Sequence, residues 1–119
     1  MLVKYRKDYE KVAMGLLSFI PDFKEIAHLQ TEMQWYQANN NHQLLLWRQA
    51  DGDFCGIIGI EIGSDFILVH HASLSPEERN SQNQQQMLNE LAALYPKQRV
   101  MGTLEMAPVI GEWERNRDK

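Results

Sequence analysis

Residues 66–94 read FILVHHASLSPEERNSQNQQQMLNELAAL, and the rest of the chain is predicted to be arranged around this stretch. An apolar, β-branched run that begins at Phe66 gives way to a turn marked by Pro76, and a polar helix start follows. Ser81 with Gln84 three residues later fits a capping box, which predicts that the helix N-terminus lies at Ser81.

The segment after this start completes a strand–helix–strand unit. Pro96 ends the helical pattern, and residues 97–102 predict a short strand centred on Val100 and Met101. A strand, a helix and a second strand in this order form a parallel crossover, which is expected to be right-handed. The free N–H groups at the start of such a helix favour an anion. The predicted apolar face of the helix consists of Met87, Leu88, Leu91, Ala92, Leu94 and Tyr95.

Before this unit, the chain predicts one strand and two helices. Residues 2–5 indicate a short strand, and Asp8 is a good N-cap for a first helix that ends at Pro21. The run Asp22-Phe23-Lys24-Glu25 resembles a second capping box. Apolar residues then recur at helical spacing in both segments. They are Tyr9, Val12, Ala13, Leu16, Leu17 and Ile20 in the first helix, and Ile26, Leu29, Met33 and Tyr36 in the second.

The middle of the chain predicts an antiparallel meander of three strands. Gly56 and Gly59 lie inside its second strand, where glycine costs stability, so they suggest a bulge or a close approach of another group to the backbone. The predicted elements are a strand at 44–47, a turn at Asp51-Gly52, a strand at 54–62, a turn at 63–65 and the strand that begins at Phe66.

The chain after Gly102 is short. Residues 106–113 predict a last helix that tolerates Pro108 in its first turn, and the charged tail 115–119 is expected to fray. At 119 residues, the whole chain 1–119 is predicted to be one domain. The fold class is α/β, with a mixed, twisted sheet, the order β-α-α-β-β-β-α-β-α and helices on both faces.

Composition excludes several classes of function. The net charge of −4 argues against nucleic acid or an anionic membrane as the main partner. The single cysteine, Cys55, cannot form an internal disulfide and is interpreted as a small core residue in a reducing compartment. No apolar segment has the length of a signal peptide or membrane span, so a cytoplasmic protein is expected. The four histidines lack the spacing of metal ligands, so no metal is expected.

The turn after the central strand resembles motif A of the GNAT acyltransferases. That pattern has a strand end and a proline, then Arg or Gln, two variable residues, Gly, one variable residue, and Gly or Ala before a helix. Here Leu74-Ser75-Pro76 and Arg79 keep the strand end, the proline and the arginine. Gln82 and Gln84 occupy the two glycine positions.

The resemblance implies a site for the pyrophosphate of acetyl-CoA at the start of the helix, where backbone N–H groups and the helix dipole favour a dianion. The glutamine side chains either block the approach of the phosphates or turn outward and donate hydrogen bonds. The alternative is a capped helix without a ligand. The cofactor-binding residues implied are Ala72, Leu74, Arg79, Asn80, Ser81, Gln82, Asn83 and Gln84.

Candidates for the general base lie on two neighbouring strands. His70 and His71 are consecutive, and because strand side chains alternate, one is expected on the helix side and the other in the open cleft. His71 and Glu61 are the candidate bases for an attacking amine, and a buried, hydrogen-bonded histidine is the alternative. Many GNAT enzymes use a tyrosine of the last helix as the acid; residues 106–116 contain Trp113, which cannot protonate a thiolate, and no tyrosine.

Residues 1–5 and 11–19 are similar to a narrower group, the small RibT-like GNAT proteins encoded beside riboflavin-biosynthesis genes. The resemblance implies an acetyl-CoA-dependent N-acetyltransferase that acts on a small molecule, with a link to riboflavin metabolism. A catalytically degenerate binding or regulatory module is the alternative, and a scaffold without a ligand is a third. The family's two closing strands are missing, so an exposed sheet edge and a homodimer are expected.

Overall fold

The element order confirms the predicted one. A computed structural model of the chain describes residues 1–50 and 52–117. It consists of β1 (Leu2–Lys4), α1 (Glu10–Leu17), α2 (Ile26–Gln37), β2 (His42–Arg48), β3 (Phe54–Ile62), β4 (Phe66–Leu74), α3 (Ser81–Leu94), β5 (Arg99–Gly102) and α4 (Ala107–Arg117). Short 3-10 turns at Lys7–Tyr9, Pro21–Phe23 and Pro76–Glu78 precede α1, α2 and α3.

One mixed sheet carries the fold, and its five strands follow the order of the sequence, β1-β2-β3-β4-β5. The first four strands pair antiparallel, as a meander requires, and β5 pairs parallel to β4 after the α3 crossover. Phe66 of β4 pairs with Arg99 of β5, and the shared register ends where Val69 pairs with Gly102.

Two apolar clusters cover the two faces of the sheet, which confirms helices on both sides. On one face, Leu88 and Leu91 of α3 and Trp113 of α4 pack with Val69 and Trp47 of the sheet. On the other face, α1 and α2 pack against β2 and β3 through Ala13, Leu16, Leu17, Leu29, Met33, Tyr36, Leu44, Leu46 and Ile57. Burial of these two faces is the main stabilising term of the fold.

The predicted starts of the first two helices are wrong. Asp8 lies inside the first 3-10 turn and pairs with Arg6, while α1 starts at Glu10 without a side-chain cap. The Asp22 capping box is replaced by the second 3-10 turn, and α2 starts at Ile26. Both segments tighten into 3-10 geometry before the α-helix begins, a common arrangement at helix ends that the cap signal alone does not show.

Some residues of the predicted apolar faces are exposed. Val12, Ile26 and Leu94 face solvent, so these stripes are narrower than their periodicity suggests. The last helix is confirmed with Pro108 in its first turn, but it continues to Arg117, beyond its predicted end and into the segment expected to fray. Asp51 of the predicted Asp51-Gly52 turn, and residues 118 and 119 of the tail, lie outside the described residues.

In the part of the chain that the structure describes, β5 pairs only with β4, so its other side is an open edge of the sheet. None of the helices in residues 1–50 and 52–117 combines the length and the apolar character that crossing a bilayer requires.

Candidate functional site: a cleft where two parallel strands part

A cleft opens where β4 and β5 separate. Their ladder ends at Val69 and Gly102, and the Thr103 N–H still reaches the Val69 carbonyl at 3.2 Å. β4 continues to Leu74 with β3 as its partner on one side, whereas the chain after β5 turns into α4. Five residues of β4, His70–Leu74, therefore extend beyond the parallel pairing.

Backbone groups of Ala72 and Leu74 point into this cleft. The Ser75 N–H donates to the Cys55 carbonyl on the β3 side at 2.8 Å, and backbone groups of alternate strand residues point to opposite edges. Those of Leu74, and of Ala72 two residues before it, are therefore directed away from β3. The Arg79 guanidinium confirms this direction, because it donates to the Leu74 carbonyl at 3.2 Å.

A cavity of about 240 Å³ lies at the same place. It combines apolar walls from the segment after α1 with the end of β4 and the start of α3. Of the residues implied as cofactor ligands, four line it: Ala72, Leu74, Arg79 and Gln84. Its other lining residues are Phe19, Ile20, Pro21, Ser73 and Met87. The guanidinium of Arg79 lies 5.9 Å from the centre of the Phe19 ring.

The start of α3 is capped by Asn80, so the predicted Ser81–Gln84 capping box is wrong. The Asn80 side chain accepts from the Asn83 N–H at 2.8 Å, and its carbonyl accepts from the Gln84 N–H at 3.1 Å. Among residues 82–84, only the Gln82 N–H stays available to a ligand, and the Ser81 N–H lies beside it. The side chains of Ser81 and Gln82 are exposed.

Asn83 is buried, and it ties this helix start to the rest of the protein. Its Nδ2 donates to the Glu78 carbonyl at 2.8 Å and to a Glu78 carboxylate oxygen at 3.2 Å. Its Oδ1 accepts from Gln49 at 2.9 Å. These hydrogen bonds fix the start of the helix. They also place the Glu78 carboxylate next to it, and the negative charge of Glu78 opposes a bound phosphate.

His70 and His71 lie on the same face of the sheet, so the prediction of opposite faces is wrong. The cause is a β-bulge: Gly59 pairs with His71 while the next β3 residue, Ile60, pairs with Val69, which leaves His70 as an extra residue in β4. Trp35 contacts His70 at 4.8 Å between ring centres, and Phe23 contacts His71 at 4.9 Å. Both histidines therefore face α2 and the turn before it.

His71 has partners at both ring nitrogens. Nδ1 lies 2.6 Å from the Tyr36 hydroxyl, and Nε2 lies 3.6 Å from a carboxylate oxygen of Glu32. Burial, followed by the charge of His70, lowers the pKa of His71 to about 4, against an opposing effect of Asp22. The imidazole is therefore neutral at pH 7, so its contact with Glu32 is not an ion pair.

Burial also raises the pKa of Glu32, although the charge of His70 opposes the shift. The pKa of the Tyr36 hydroxyl is raised by burial and then by the nearby Glu32 carboxylate, which keeps the phenol protonated. Glu32 and Tyr36 are four residues apart on α2, so both project from one face of the helix toward the sheet.

The second candidate base, Glu61, pairs with the other histidine. Its carboxylate lies 3.0 Å from Nε2 of His70 and is 40% exposed. Glu61 of β3 pairs with Leu68, two residues before His70, and so lies beside the part of β4 that is still paired with β5. The two predicted bases thus lie in one polar region but have separate partners. Trp35 stacks on His42 at 3.7 Å between ring centres and contacts His70 with its edge.

The roles of Glu32, the Tyr36 hydroxyl and Gln49 are not predicted from the sequence. Nothing in the sequence pattern marks Glu32 as a site residue, because a polar residue on an amphipathic helix is typical of a solvated face. Its spacing of four residues from Tyr36 is the one feature that places it on the side of the helix that faces the sheet. Tyr36 belongs to the predicted apolar face, which is correct for its ring but leaves out its hydroxyl. The network around Asn83 depends on Gln49, 34 residues away, and has no local signal.

The prediction that Cys55 is a small core residue agrees with its place against the apolar cluster of α3, where it is partly buried. Burial raises the pKa of its thiol, and the Glu78 carboxylate adds to that shift, so the reactive thiolate is disfavoured.

Comparisons with known proteins give the family. No protein-family model matches the chain. A Bacillus methanolicus protein named as an uncharacterized N-acetyltransferase in the lysA 3' region is 34% identical over 115 residues, which cover 96% of this chain and 95% of that protein.

Solved structures share the fold at low sequence identity. A possible acetyltransferase from Clostridium difficile 630 superposes with a TM-score of 0.71 at 10% identity, covering 98% of this chain and 88% of that one. The aminoglycoside 6'-N-acetyltransferase AAC(6')-Ih from Acinetobacter baumannii gives 0.66 at 13%, covering 98% and 87%. AAC(6')-Iy, in complex with a bisubstrate analog that contains CoA, gives 0.70 at 10%, also covering 98% and 87%. The relative matches nearly the whole chain, and the parted strands and the α3 crossover are consistent with the shared fold. The chain belongs to the GNAT-type N-acetyltransferase family.

Proposed function

We propose that the protein is an acetyl-CoA-dependent N-acetyltransferase that acts on a small amine. The observation that carries the proposal is the cleft between β4 and β5, with the backbone groups of Ala72 and Leu74 directed into it. These groups suit the amide groups of a pantetheine chain, which would lie along β4 as an additional strand does. The cavity beside them would take part of the pantetheine chain, and the acetyl end would lie farther from α3, where β4 and β5 part.

The pyrophosphate would lie at the start of α3. The N–H groups of Ser81 and Gln82 are the donors that the Asn80 cap leaves available, and Arg79 supplies a cation. Gln84 lines the cavity, and Gln82 is exposed and free to turn outward. Arg79 would exchange the Leu74 carbonyl for a phosphate, which frees that carbonyl for the pantetheine.

Isothermal titration with acetyl-CoA tests this arrangement. Arg79→Ala is expected to weaken binding about tenfold, the scale of one partly exposed charge-assisted hydrogen bond. Arg6→Ala, at an exposed arginine beside β1, is the matched control and should bind as the wild type does. Equal affinities for the wild type and Arg79→Ala would remove Arg79 from the site.

A degenerate binding or regulatory module is the second candidate. Two features favour this second function. The Asn80 cap occupies the Asn83 N–H group that a phosphate would use, and the negative charge of the Glu78 carboxylate repels a phosphate. The double variant Gln82→Gly/Gln84→Gly separates the two functions. If the wild type shows no heat with millimolar acetyl-CoA and the variant binds, the glutamines have closed the site and the second function stands. If neither binds, the protein shares only the fold with acetyl-CoA enzymes.

His71 and Glu61 are the candidate general bases that the sequence predicts. Glu61 is the more exposed and stays close to His70, whereas His71 is a weak base because of its low pKa. The link to riboflavin metabolism rests on the resemblance of residues 1–5 and 11–19 alone. An assay of thiol release with amine intermediates of flavin synthesis tests that link, and a panel in which none reacts contradicts it.

We also propose a homodimer formed through the open edge of β5. The exposed apolar side chains Met101 and Leu104 lie at or just beyond this strand, and backbone groups of alternate β5 residues point outward.

A further inference from the structure

A partly buried carboxylate, that of Glu32, lies beside the point where β4 leaves β5. Glu32 projects from α2 toward His71, the second residue of β4 beyond the parallel pairing, and its side chain is 25% exposed. Glu32, Tyr36 and His71 form a polar cluster that adjoins the cavity of the cleft. Ala72, which follows His71, lines that cavity. Pro21 also lines it and lies two residues before Phe23, whose ring contacts His71. A group held by Glu32 would therefore lie close to the acetyl end of the cofactor.

His71 is poorly placed to act as the base, because Nδ1 is hydrogen-bonded to the Tyr36 hydroxyl and Nε2 faces the Glu32 carboxylate at 3.6 Å. A neutral imidazole carries one N–H and one lone pair. With a carboxylate beside Nε2, the proton belongs on Nε2, and Nδ1 accepts from the Tyr36 hydroxyl at 2.6 Å. No lone pair of His71 is then left for an incoming amine. Its role, together with Tyr36, is to hold the β4 bulge and orient Glu32.

Glu32 itself has acceptor capacity to spare. A carboxylate offers about four lone-pair positions on its two oxygens, and His71 faces one oxygen only. Within residues 1–50 and 52–117, His71 is the only basic group at ion-pair distance from Glu32, and it is neutral at pH 7. The charge of His70 also acts on Glu32, but from beyond ion-pair distance, so this partly buried carboxylate can still take a cationic ligand.

We propose that Glu32 is a catalytic residue: it binds the ammonium group of the acceptor and accepts a proton from it. This inference rests on the proposed acetyltransferase function. It also names a substrate class, an aliphatic primary amine, because alkyl amines enter as cations at neutral pH whereas aryl amines enter uncharged. The apolar ring of Phe23 next to His71 would contact the carbon chain that carries the amine.

The reaction balances without another reactant. The ammonium gives one proton to Glu32, and the neutral nitrogen attacks the thioester carbonyl. A C–N bond forms, the C–S bond breaks, and the sulfur leaves with the electron pair. The second proton of the nitrogen passes to the thiolate through solvent, and Glu32 releases its own proton to water. The products are an N-acetyl amine, the free thiol and one proton.

The decisive variant is Glu32→Gln, which keeps the shape of the side chain and removes its charge. Its matched control is Glu25→Gln on the segment just before α2, where Glu25 is 78% exposed and lies 3.9 Å from His28. Thiol release from acetyl-CoA is measured with alkyl diamines, alkyl monoamines and aryl amines from pH 6 to 10. Calorimetry with acetyl-CoA and thermal unfolding are measured for all three proteins.

For alkyl amines at pH 7, Glu32→Gln is expected to lower kcat/KM about 100-fold, the scale of general-base catalysis, with unchanged affinity for acetyl-CoA. The loss should shrink at high pH, where solvent deprotonates the amine. A purely structural role would not produce this pH dependence. Glu25→Gln should keep the wild-type profile. Wild-type kcat/KM in Glu32→Gln, or a preference for aryl amines, would overturn the inference.

Failure of the proposed function gives a different result. If acetyl-CoA neither binds nor reacts, the acetyltransferase proposal falls, and calorimetry with an alkyl diamine alone still tests Glu32. Binding to the wild type that disappears in Glu32→Gln would support the ammonium site without catalysis. Equal heats in the two proteins would remove it.

Discussion

At the scale of single residues, Gly59 creates the space for the polar cluster. A Cβ at this position would meet the hydroxyl and ring of Tyr36, so the phenol reaches His71 only because β3 has no side chain here. The predicted meaning of a glycine inside a strand, a bulge or a close approach, is confirmed on both counts at Gly59.

Gly59→Ala is expected to destabilise the protein by about 2 kcal/mol, because a buried aromatic ring must shift to admit the methyl group. Gly15→Ala is the matched control: it lies in α1 with open space around it, and alanine there should stabilise by about 0.5–1 kcal/mol. Urea unfolding of both variants measures the difference. A Gly59→Ala variant as stable as the wild type would mean that Tyr36 moves without cost.

His71 should make stability depend on pH. Its pKa of about 4 in the folded chain lies below the ordinary value of 6.5, so between these values the unfolded chain binds more protons. The contribution of His71 to the free energy of unfolding is complete above pH 6.5 and is lost as the pH falls toward 4. The expected loss between pH 7.5 and 5 is about 2 kcal/mol.

His71→Gln should reduce this dependence, and His28→Gln, at an exposed histidine, should keep it. The measurement is the free energy of unfolding in urea at the two pH values. An unchanged pH dependence in His71→Gln would show that His71 is not the group that titrates.

At the scale of elements, periodicity and turn signals predicted the strands and helices, because a long pattern averages over many residues. Helix starts were less predictable. Asn80 and Ser81 are both residue types that cap helices well. Asn80 is the cap in the structure because its side chain accepts from the Asn83 N–H, and Asn83 is in turn hydrogen-bonded to Gln49 just after β2. The β4 bulge was equally hidden, so the faces of His70 and His71 could not be predicted from alternation alone.

The cap can be tested directly. Asn80→Ala removes the acceptor of the Asn83 N–H and should destabilise the protein by about 1 kcal/mol. Ser81→Ala, at the position that the sequence pattern favours, is exposed and should cost less than about 0.5 kcal/mol. Thermal unfolding of the two variants compares them, and a larger loss in Ser81→Ala would restore the predicted capping box.

At the scale of the whole molecule, one part of the fold supports β4 and another leaves the cleft beside it open. The antiparallel meander and the cluster beneath α3 hold β4 rigid, while the early end of β5 leaves the cleft beside it open. Four of the residues that the resemblance implies as cofactor ligands line one cavity. The contact between Tyr36 of α2 and His71 of β4 could not be predicted, since it joins residues more than 30 positions apart in the sequence.

The same short β5 that opens the cleft also leaves a sheet edge, and this edge predicts self-association. Met101 is 43% exposed and Leu104 is 92% exposed, so apolar surface adjoins unpaired backbone groups. Sedimentation at micromolar concentration should show a dimer, and Met101→Lys should shift it to a monomer because edge lysines oppose strand pairing. Ile26→Lys makes the same change at an exposed apolar residue of α2 and should remain dimeric. A monomeric wild type would show that solvent, rather than a second copy, satisfies the edge.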